Sequence, residues 1–225
     1  MKTIGIIGAM PSELADIIKA LPAKEKKEIS RFTYHIYEKD DKRIVYACSG
    51  IAKVNSALCT QVMIDNFKPC AIINTGIAGG MNKDVKVCDI VISDLVMPHD
   101  LDPHFLKDYP PYCCEFPSDK ALIELAESVC KNQGVKSFVG RIVSGEQFVT
   151  DTVAKNAIKD KFEPMAVDME TAAIAHCAYM NKMPFVSVRC ISDNADDEGA
   201  MSFDIFEKKA AGIVANIVLE MADKI

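Results

Sequence analysis

The sequence predicts a single α/β domain in which a largely parallel, buried sheet is flanked by helices. Three observations carry that reading. Short runs rich in Ile and Val alternate with longer amphipathic segments along the whole chain. The 225 residues are 49% hydrophobic, enough for one sizeable core. No internal repeat and no Pro/Gly/Ser-rich linker divides residues 1–225, so one domain is expected.

The elements follow in order. Thr3–Gly8 is a short Ile-rich strand, and Pro11 suits the first turn of a helix over Pro11–Leu21. Arg43–Ser49 reads as strand, Lys53–Phe67 as helix, and Ala71–Thr75 and Asp89–Ser93 as strands bounded by Gly, Asp or Ser. Ser118–Gln133 is a helix with Ser118 as its N-cap and Gly134 as its stop. Strand Phe138–Ser144, helix Thr152–Asp160, helix Met169–Asn181, strand Phe185–Ile191 and helix Phe203–Met221 complete the alternation. Only 97–117 is irregular over a long stretch. It holds five of the ten prolines, four aromatics and two of the four histidines. A loop of that length in a compact domain is usually functional or part of an interface.

Charge and cysteine usage narrow the function. A net charge of −6 with no Lys/Arg run speaks against a nucleic-acid surface. The nine cysteines include no CxxC pair, so no zinc site is expected, and most sit in apolar runs where free Cys packs as a small hydrophobe. The N-terminus runs straight into strand with no signal-peptide pattern, and no apolar run approaches the roughly 18 residues of a membrane helix. A cytoplasmic protein without a membrane partner is the expectation.

Two segments carry the chemistry. Val167-Asp168-Met169-Glu170 puts carboxylates at the mouth of the Ala-rich helix Thr171–Met180, and Arg189-Cys190-Ile191-Ser192-Asp193 ends an apolar strand on an acid. Open α/β sheets bind small molecules at the carboxyl ends of their strands. With Glu13 after the first strand, three carboxylates are expected to converge there for acid–base work on a polar small molecule. Taken singly, each has a plainer reading. Glu13 reads as a solvated first-turn acid, Glu170 as a helix N-terminal acid and Asp193 as the start of an acidic loop. Arg189 is harder to dismiss, because an Arg inside an apolar strand needs an acidic partner. Asp196-Asp197-Glu198 reads as a solvated turn, His176 as a core or interface residue, and His99-Asp100 as a pair ordering its loop. Gly5-Ile6-Ile7-Gly8 lacks the GxGxxG spacing of a dinucleotide site, and no P-loop Lys follows. Gly76-Ile77-Ala78-Gly79-Gly80 reads equally as a tight turn needing positive φ and as a place of close backbone approach to a ligand, and the two can both hold.

Six blocks, in order, resemble the 5′-methylthioadenosine/S-adenosylhomocysteine nucleosidases of the purine nucleoside phosphorylase/nucleosidase superfamily. They are Gly5–Met10 with Glu13, Ser49–Asn55, Asn74–Gly80, Val143–Gly145 with Phe148, Met169–His176, and Arg189–Asp193 with Ser202–Asp204. The resemblance implies a phosphorylase/hydrolase-like fold with a twisted mixed sheet, a homodimer and cleavage of an adenine N-glycosidic bond. It sets the activity in methionine salvage and adenosylhomocysteine recycling, with no cofactor and no metal.

The resemblance also implies residue roles. Glu13 matches the general base that positions water, and Asp193 the acid acting at adenine N7. Glu170 matches the carboxylate gripping the ribose hydroxyls, and Arg189 a residue near the water. Phe148 would stack on adenine while the Val149 backbone reads its edge. Met169 would pack on the ribose, and Ile51 and Phe203 would line the 5′-alkylthio pocket, which the partner's 97–117 loop helps close. Ile77 and Asp168 depart from the family, which often carries a small hydroxyl residue and a Glu there. The chemistry is consistent with these types: adenine leaves poorly unless protonated, and an oxocarbenium-like sugar must meet an oriented water. A phosphorylase would place a cation in the first Gly-rich turn, but no Arg precedes Arg31. A non-catalytic nucleoside sensor would have lost Glu13 or Asp193. Hydrolysis is therefore the expectation.

Overall fold

A computed structural model describes residues 1–225. The chain runs β1 (Lys2–Gly8), α1 (Pro11–Ala20), β2 (Glu25–Ile29), β3 (Phe32–Lys39), β4 (Lys42–Cys48), α2 (Lys53–Phe67), β5 (Ala71–Gly80), β6 (Ile90–Pro98) and α3 (Pro103–Asp108). It continues with β7 (Phe116–Pro117), α4 (Lys120–Asn132), β8 (Ser137–Ser144), α5 (Thr152–Phe162), β9 (Ala166–Asp168), α6 (Thr171–Met180), β10 (Phe185–Asp193) and α7 (Gly199–Lys224). All ten strands join one sheet.

The sheet is mixed, as the resemblance implies and against the largely parallel sheet expected from strand–helix alternation alone. Parallel pairs β1–β4, β1–β5, β5–β10, β6–β8 and β8–β9 are joined by antiparallel β2–β3, β3–β4, β6–β10, β5–β9 and β6–β7. Because β5 meets β10, β10 meets β6, β6 meets β8, β8 meets β9 and β9 returns to β5, five strands close a circuit. The strands β1, β4, β3 and β2 extend from its side.

Alternation along β1 shows how the core is divided. Ile4 and Ile6 join a cluster with α1, α4 and α7, while Ile7 joins a second cluster with α2 and α6. Each such fully buried aliphatic side chain contributes about 1.5–3 kcal/mol. No helix is long and apolar enough to cross a membrane.

Several sequence expectations change. The Gly76–Gly80 segment is not a tight turn: β5 continues through it, because β10 pairs along 72–79 and β9 takes up Gly79 and Gly80. Helix α4 is capped by Asp119, whose carboxylate accepts from the Leu122 N–H at 3.1 Å, and not by Ser118. The Ser118 hydroxyl instead meets that of Ser93 at 2.6 Å. Gly134, with φ of +67°, does follow the helix as expected. The irregular 97–117 stretch contains the end of β6, the one-and-a-half-turn α3 and the two-residue β7.

Candidate active site

The ends of β1, β9 and β10 and the starts of α1 and α6 build the site around β5. The first helix begins two residues after β1, and its third residue is Glu13. That carboxylate is not solvated: Glu13 is only 2% exposed. Its Oε2 accepts from the N–H groups of Ala9 (2.6 Å) and Met10 (2.9 Å), and its Oε1 from the N–H of Ile77 on β5 (3.0 Å). The closely spaced glycine at 76 permits this. A Cβ on Gly76 would lie 2.2 Å from both Glu13 Oε1 and Arg189 Nη1. At Gly76 the backbone therefore closes on these two side chains, while Gly79 of the same block lines the cavity where close approach to a ligand was expected.

Asp168 and Glu170 come from the end of β9 and the residue before α6. Glu170 is 5% exposed, and its Oε1 accepts the Ala52 N–H at 2.9 Å. That N–H is aimed by a left-handed Ala52, φ +79°. Asp168 is tied to the hydroxyls of Ser144 and Thr171. Asp193 ends β10, is 1% exposed, and holds the Ser192 hydroxyl at 2.8 Å and the Ala195 N–H at 2.7 Å. Ile77 offers it no side-chain hydrogen bond, and Ser192 supplies one instead. Gly79 leaves room, since a Cβ there would come 3.0 Å from Asp193 Oδ1.

One cation serves this group of acids. Arg189 is fully buried. Its Nη2 lies 2.8 Å from Asp168 and 3.8 Å from Glu170, and its Nη1 lies 3.6 Å from Glu13. Further bonds go to Thr171 Oγ1 and Asn74 Oδ1, each 2.9 Å from Nη2. Burial works against the charge of Arg189, but Asp168, Glu13 and Glu170 outweigh it and leave its pKa raised. Arg189 stands behind the carboxylates and is not among the residues that line the cavity.

The electrostatics follow from one cation among several buried acids. Burial raises the pKa of Glu13, opposed first by Arg189 and then by its three backbone N–H partners. Burial and the neighbouring Asp168 push Glu170 up to about 7. Burial likewise raises Asp193, against its Ser192 and Ala195 hydrogen bonds. Such perturbed acids lining a cleft mark a functional site.

The cavity in front of them has a volume of about 360 Å³. Glu13, Asp168, Glu170 and Asp193 supply its charge, and Ile51, Ile77, Phe148, Met169 and Phe203 supply much of its apolar wall. Val149 lines a recess of about 20 Å³ that shares Gly79, Phe148 and Asp193 with the main cavity. The rings of Phe148 and Phe203 meet edge to face at 5.4 Å. Phe148 and Ile51 remain 46% and 49% exposed, so the apolar side of the cavity opens outward. No Lys or Arg lines it.

The structure thus brings together Glu13, Glu170 and Asp193 with the apolar residues expected beside them. Sequence reasoning gave no role to the buried polar set behind them, Asn74, Ser144 and Thr171, and it named the block of Gly76 without its contact to Glu13 and Arg189. Residues 196–198 form the largely exposed turn expected, and its acids also make contacts. Asp197 accepts the Thr152 hydroxyl at 2.6 Å, and Asp196 sits 3.8 Å from Lys155. In the 97–117 stretch it is Asp100 that ties the chain, to Lys53 at 2.6 Å and to the Glu146 N–H at 2.9 Å. His176 stacks on Phe116 at 4.7 Å, the packing role expected of it.

Comparison with known proteins gives a consistent picture. Residues 3–223 match the phosphorylase superfamily. A 5′-methylthioadenosine/S-adenosylhomocysteine nucleosidase from Oceanobacillus iheyensis is 36% identical over 228 residues, covering 99% of this chain and 100% of its own. The solved nucleosidase of that name from Neisseria meningitidis, in complex with methylthio-immucillin-A, is 36% identical, with a TM-score of 0.94 and full coverage of both chains. The native futalosine hydrolase of Helicobacter pylori is 32% identical, with a TM-score of 0.93, covering 100% of this chain and 98% of that one.

Proposed function

Because this chain belongs to the phosphorylase superfamily and is similar along its whole length to its methylthioadenosine/adenosylhomocysteine nucleosidases, we propose that it hydrolyses the N-glycosidic bond of such 5′-thio-substituted adenosines. The products are adenine and the 5′-thioribose. The observation that carries hydrolysis over phosphorolysis is the cavity's charge: four carboxylates line it and no cation does. Phosphate binding needs donors of positive charge or a nest of N–H groups. Here the N–H groups of Ala9, Met10 and Ile77 are already taken by Glu13.

The mechanism assigns each side chain a task. Asp193, its pKa raised by burial, holds a proton and delivers it to N7 of adenine as the C–N bond breaks and its electron pair moves into the base. Water adds to the anomeric carbon on the other side and gives its proton to Glu13. Burial raises the pKa of that base, while Arg189 and three N–H groups favour its ionised form. Glu170, fixed by the Ala52 N–H, grips the ribose hydroxyls and lies where its charge favours an oxocarbenium-like sugar. Phe148 stacks on the base, the Val149 backbone reads its edge, Met169 packs on the ribose, and Ile51 and Phe203 meet the 5′-alkylthio group.

The outward-facing apolar wall supports a homodimer in which the partner's 97–117 segment covers the 5′ end. Val54 and Leu58 on α2, and Phe105, Tyr109 and Tyr112 in the 97–117 segment, are more than half exposed, apolar surface of the kind that interfaces cover. Light scattering on an eluting peak tests it: a mass of one chain, 24.7 kDa, would reject the dimer. The activity is tested by adenine release from methylthioadenosine and adenosylhomocysteine with and without phosphate. Phosphate-independent release with free 5′-thioribose is expected. Release only in phosphate, with a sugar 1-phosphate, would make the protein a phosphorylase.

A further inference from the structure

Asn74 lies on β5, in no contact with the cavity and completely buried. Its side chain has a partner at each end. The amide nitrogen donates to the Ile7 carbonyl on β1 at 3.0 Å, and the oxygen receives Arg189 Nη2 and the Ser187 hydroxyl, each at 2.9 Å. The partners fix which end is which, since a carbonyl only accepts and a guanidinium only donates. Thr171 Oγ1 is also 2.9 Å from the oxygen, but its single proton is committed to Asp168, so it serves Arg189 as an acceptor.

Ile7 stands two residues before Ala9, whose N–H and that of Met10 hold Glu13. Asn74 therefore joins the strand that carries the base's donors to the cation that supports the base's charge. From this geometry we infer that Asn74 is a positioning residue for the hydrolytic water step, setting where the Arg189 guanidinium stands between Glu13 and Glu170. The inference rests on the role proposed for Glu13.

An amide is the side chain the position requires. The titratable and charged groups around Arg189 are Glu13 from α1, Asp168 from β9 and Glu170 before α6, and the Cys48 thiol of β4 feels the charge of Glu13. One cation already faces three acids. A neutral acceptor orients it without adding a fourth anion, whereas an apolar residue would take one acceptor from Nη2 and the amide donor from the Ile7 carbonyl.

The test is adenine release measured across pH for Asn74→Asp and Asn74→Ser. Asn74→Asp keeps the shape but adds charge, so Arg189 is shared more widely and Glu13 holds its proton more tightly. The ascending limb of kcat/KM, where the base ionises, is expected to move up by about one pH unit. Asn74→Ser withdraws the acceptor from Arg189 and is expected to lower kcat about tenfold or more, with KM changed by less than about threefold. Should Asn74→Asp fail to fold, Asn74→Ser decides by the same measurements. An ascending limb in place and kcat within about twofold of the parent would overturn the positioning role. Loss of stability with an unshifted profile would do so too, leaving Asn74 a packing residue. Absence of adenine release from the parent protein would reject the proposed function instead, which keeps the two failures distinct.

Discussion

Arg189 Nη2 approaches Asp168 Oδ2 to 2.8 Å, about an ångström closer than the same guanidinium comes to Glu13 or Glu170. The acid that anchors the cation is thus the one whose oxygens are also bound by Ser144 and Thr171. The two acids assigned to chemistry receive its field from further away. Asp168→Asn would leave a fully buried cation with only its longer ion pairs. Removing one partner of a buried pair costs about 3–5 kcal/mol, and the two remaining acids place this case at about 3. Urea unfolding checks it: a loss under about 0.5 kcal/mol would show that Asp168 does not anchor the cation.

Asp193→Asn keeps the shape of the acid and removes its proton-donating role. Its partners tolerate the change in part: the Ala195 N–H still meets an oxygen, and the Ser192 hydroxyl can accept from the new amide. Stability should therefore change by about 1 kcal/mol or less, while kcat for adenine release falls by about 10²–10⁴-fold. Binding of a substrate analogue, followed by calorimetry, should persist. Turnover like that of the parent would remove Asp193 as the acid.

Glu13→Gln is a harder substitution, for a physical reason. Oε1 and Oε2 both accept from N–H donors, so the amide nitrogen of a Gln must face Ala9 and Met10 or Ile77 and Arg189. Hydrolysis should stop, with the same 10²–10⁴-fold scale for a lost proton transfer, roughly. Binding should survive. Normal rates of hydrolysis would rule out Glu13 as the base.

How much of this was legible in the sequence depends on what each residue touches. Six strands and six helices are visible because short apolar runs, mostly rich in Ile and Val, mark the buried strands and longer segments between them mark the helices. The β2–β3 hairpin is not: Glu25-Lys26-Lys27-Glu28 is exposed and becomes a strand only through its antiparallel pairing with β3. At three residues, β9 is too short for any periodicity, yet it closes the strand circuit and delivers Asp168. In the site, acids at strand ends are legible because chain order alone puts them there. The role of Asn74 and the partners that Gly76 approaches are not, because they come from contacts between β5, β1, α1 and β10, far apart in sequence.

Gly76→Ala tests the close approach directly. A methyl group at that position would overlap Glu13 Oε1 and Arg189 Nη1, both 2.2 Å from the ideal Cβ, on a backbone with φ of +151°. Neither neighbour is a free chain end: Glu13 holds three N–H groups and Arg189 is fully buried. The overlap must therefore displace the base from its donors. Overpacking of this kind costs about 1–3 kcal/mol, and a small displacement of a base costs about 10²-fold in rate. Unchanged kcat in Gly76→Ala would mean that the position of Glu13 is not set by this contact.

Burial of Glu170 makes stability depend on pH with a definite sign. Its pKa rises from an ordinary 4.5 to about 7 in the folded protein, so the folded state holds this proton more tightly than the unfolded chain. The resulting stabilisation is fully present below the unfolded value and is lost as pH rises through the folded one. Glu13 and Asp193, also raised by burial, act in the same direction. Thermal midpoints should accordingly fall between pH 5 and 8, opposite to a protein dominated by salt-bridged surface acids. In Glu170→Gln, which stays neutral at every pH and still accepts the Ala52 N–H, the fall should be shallower. Equal slopes in the two proteins would mean that Glu170 does not hold its proton into this range.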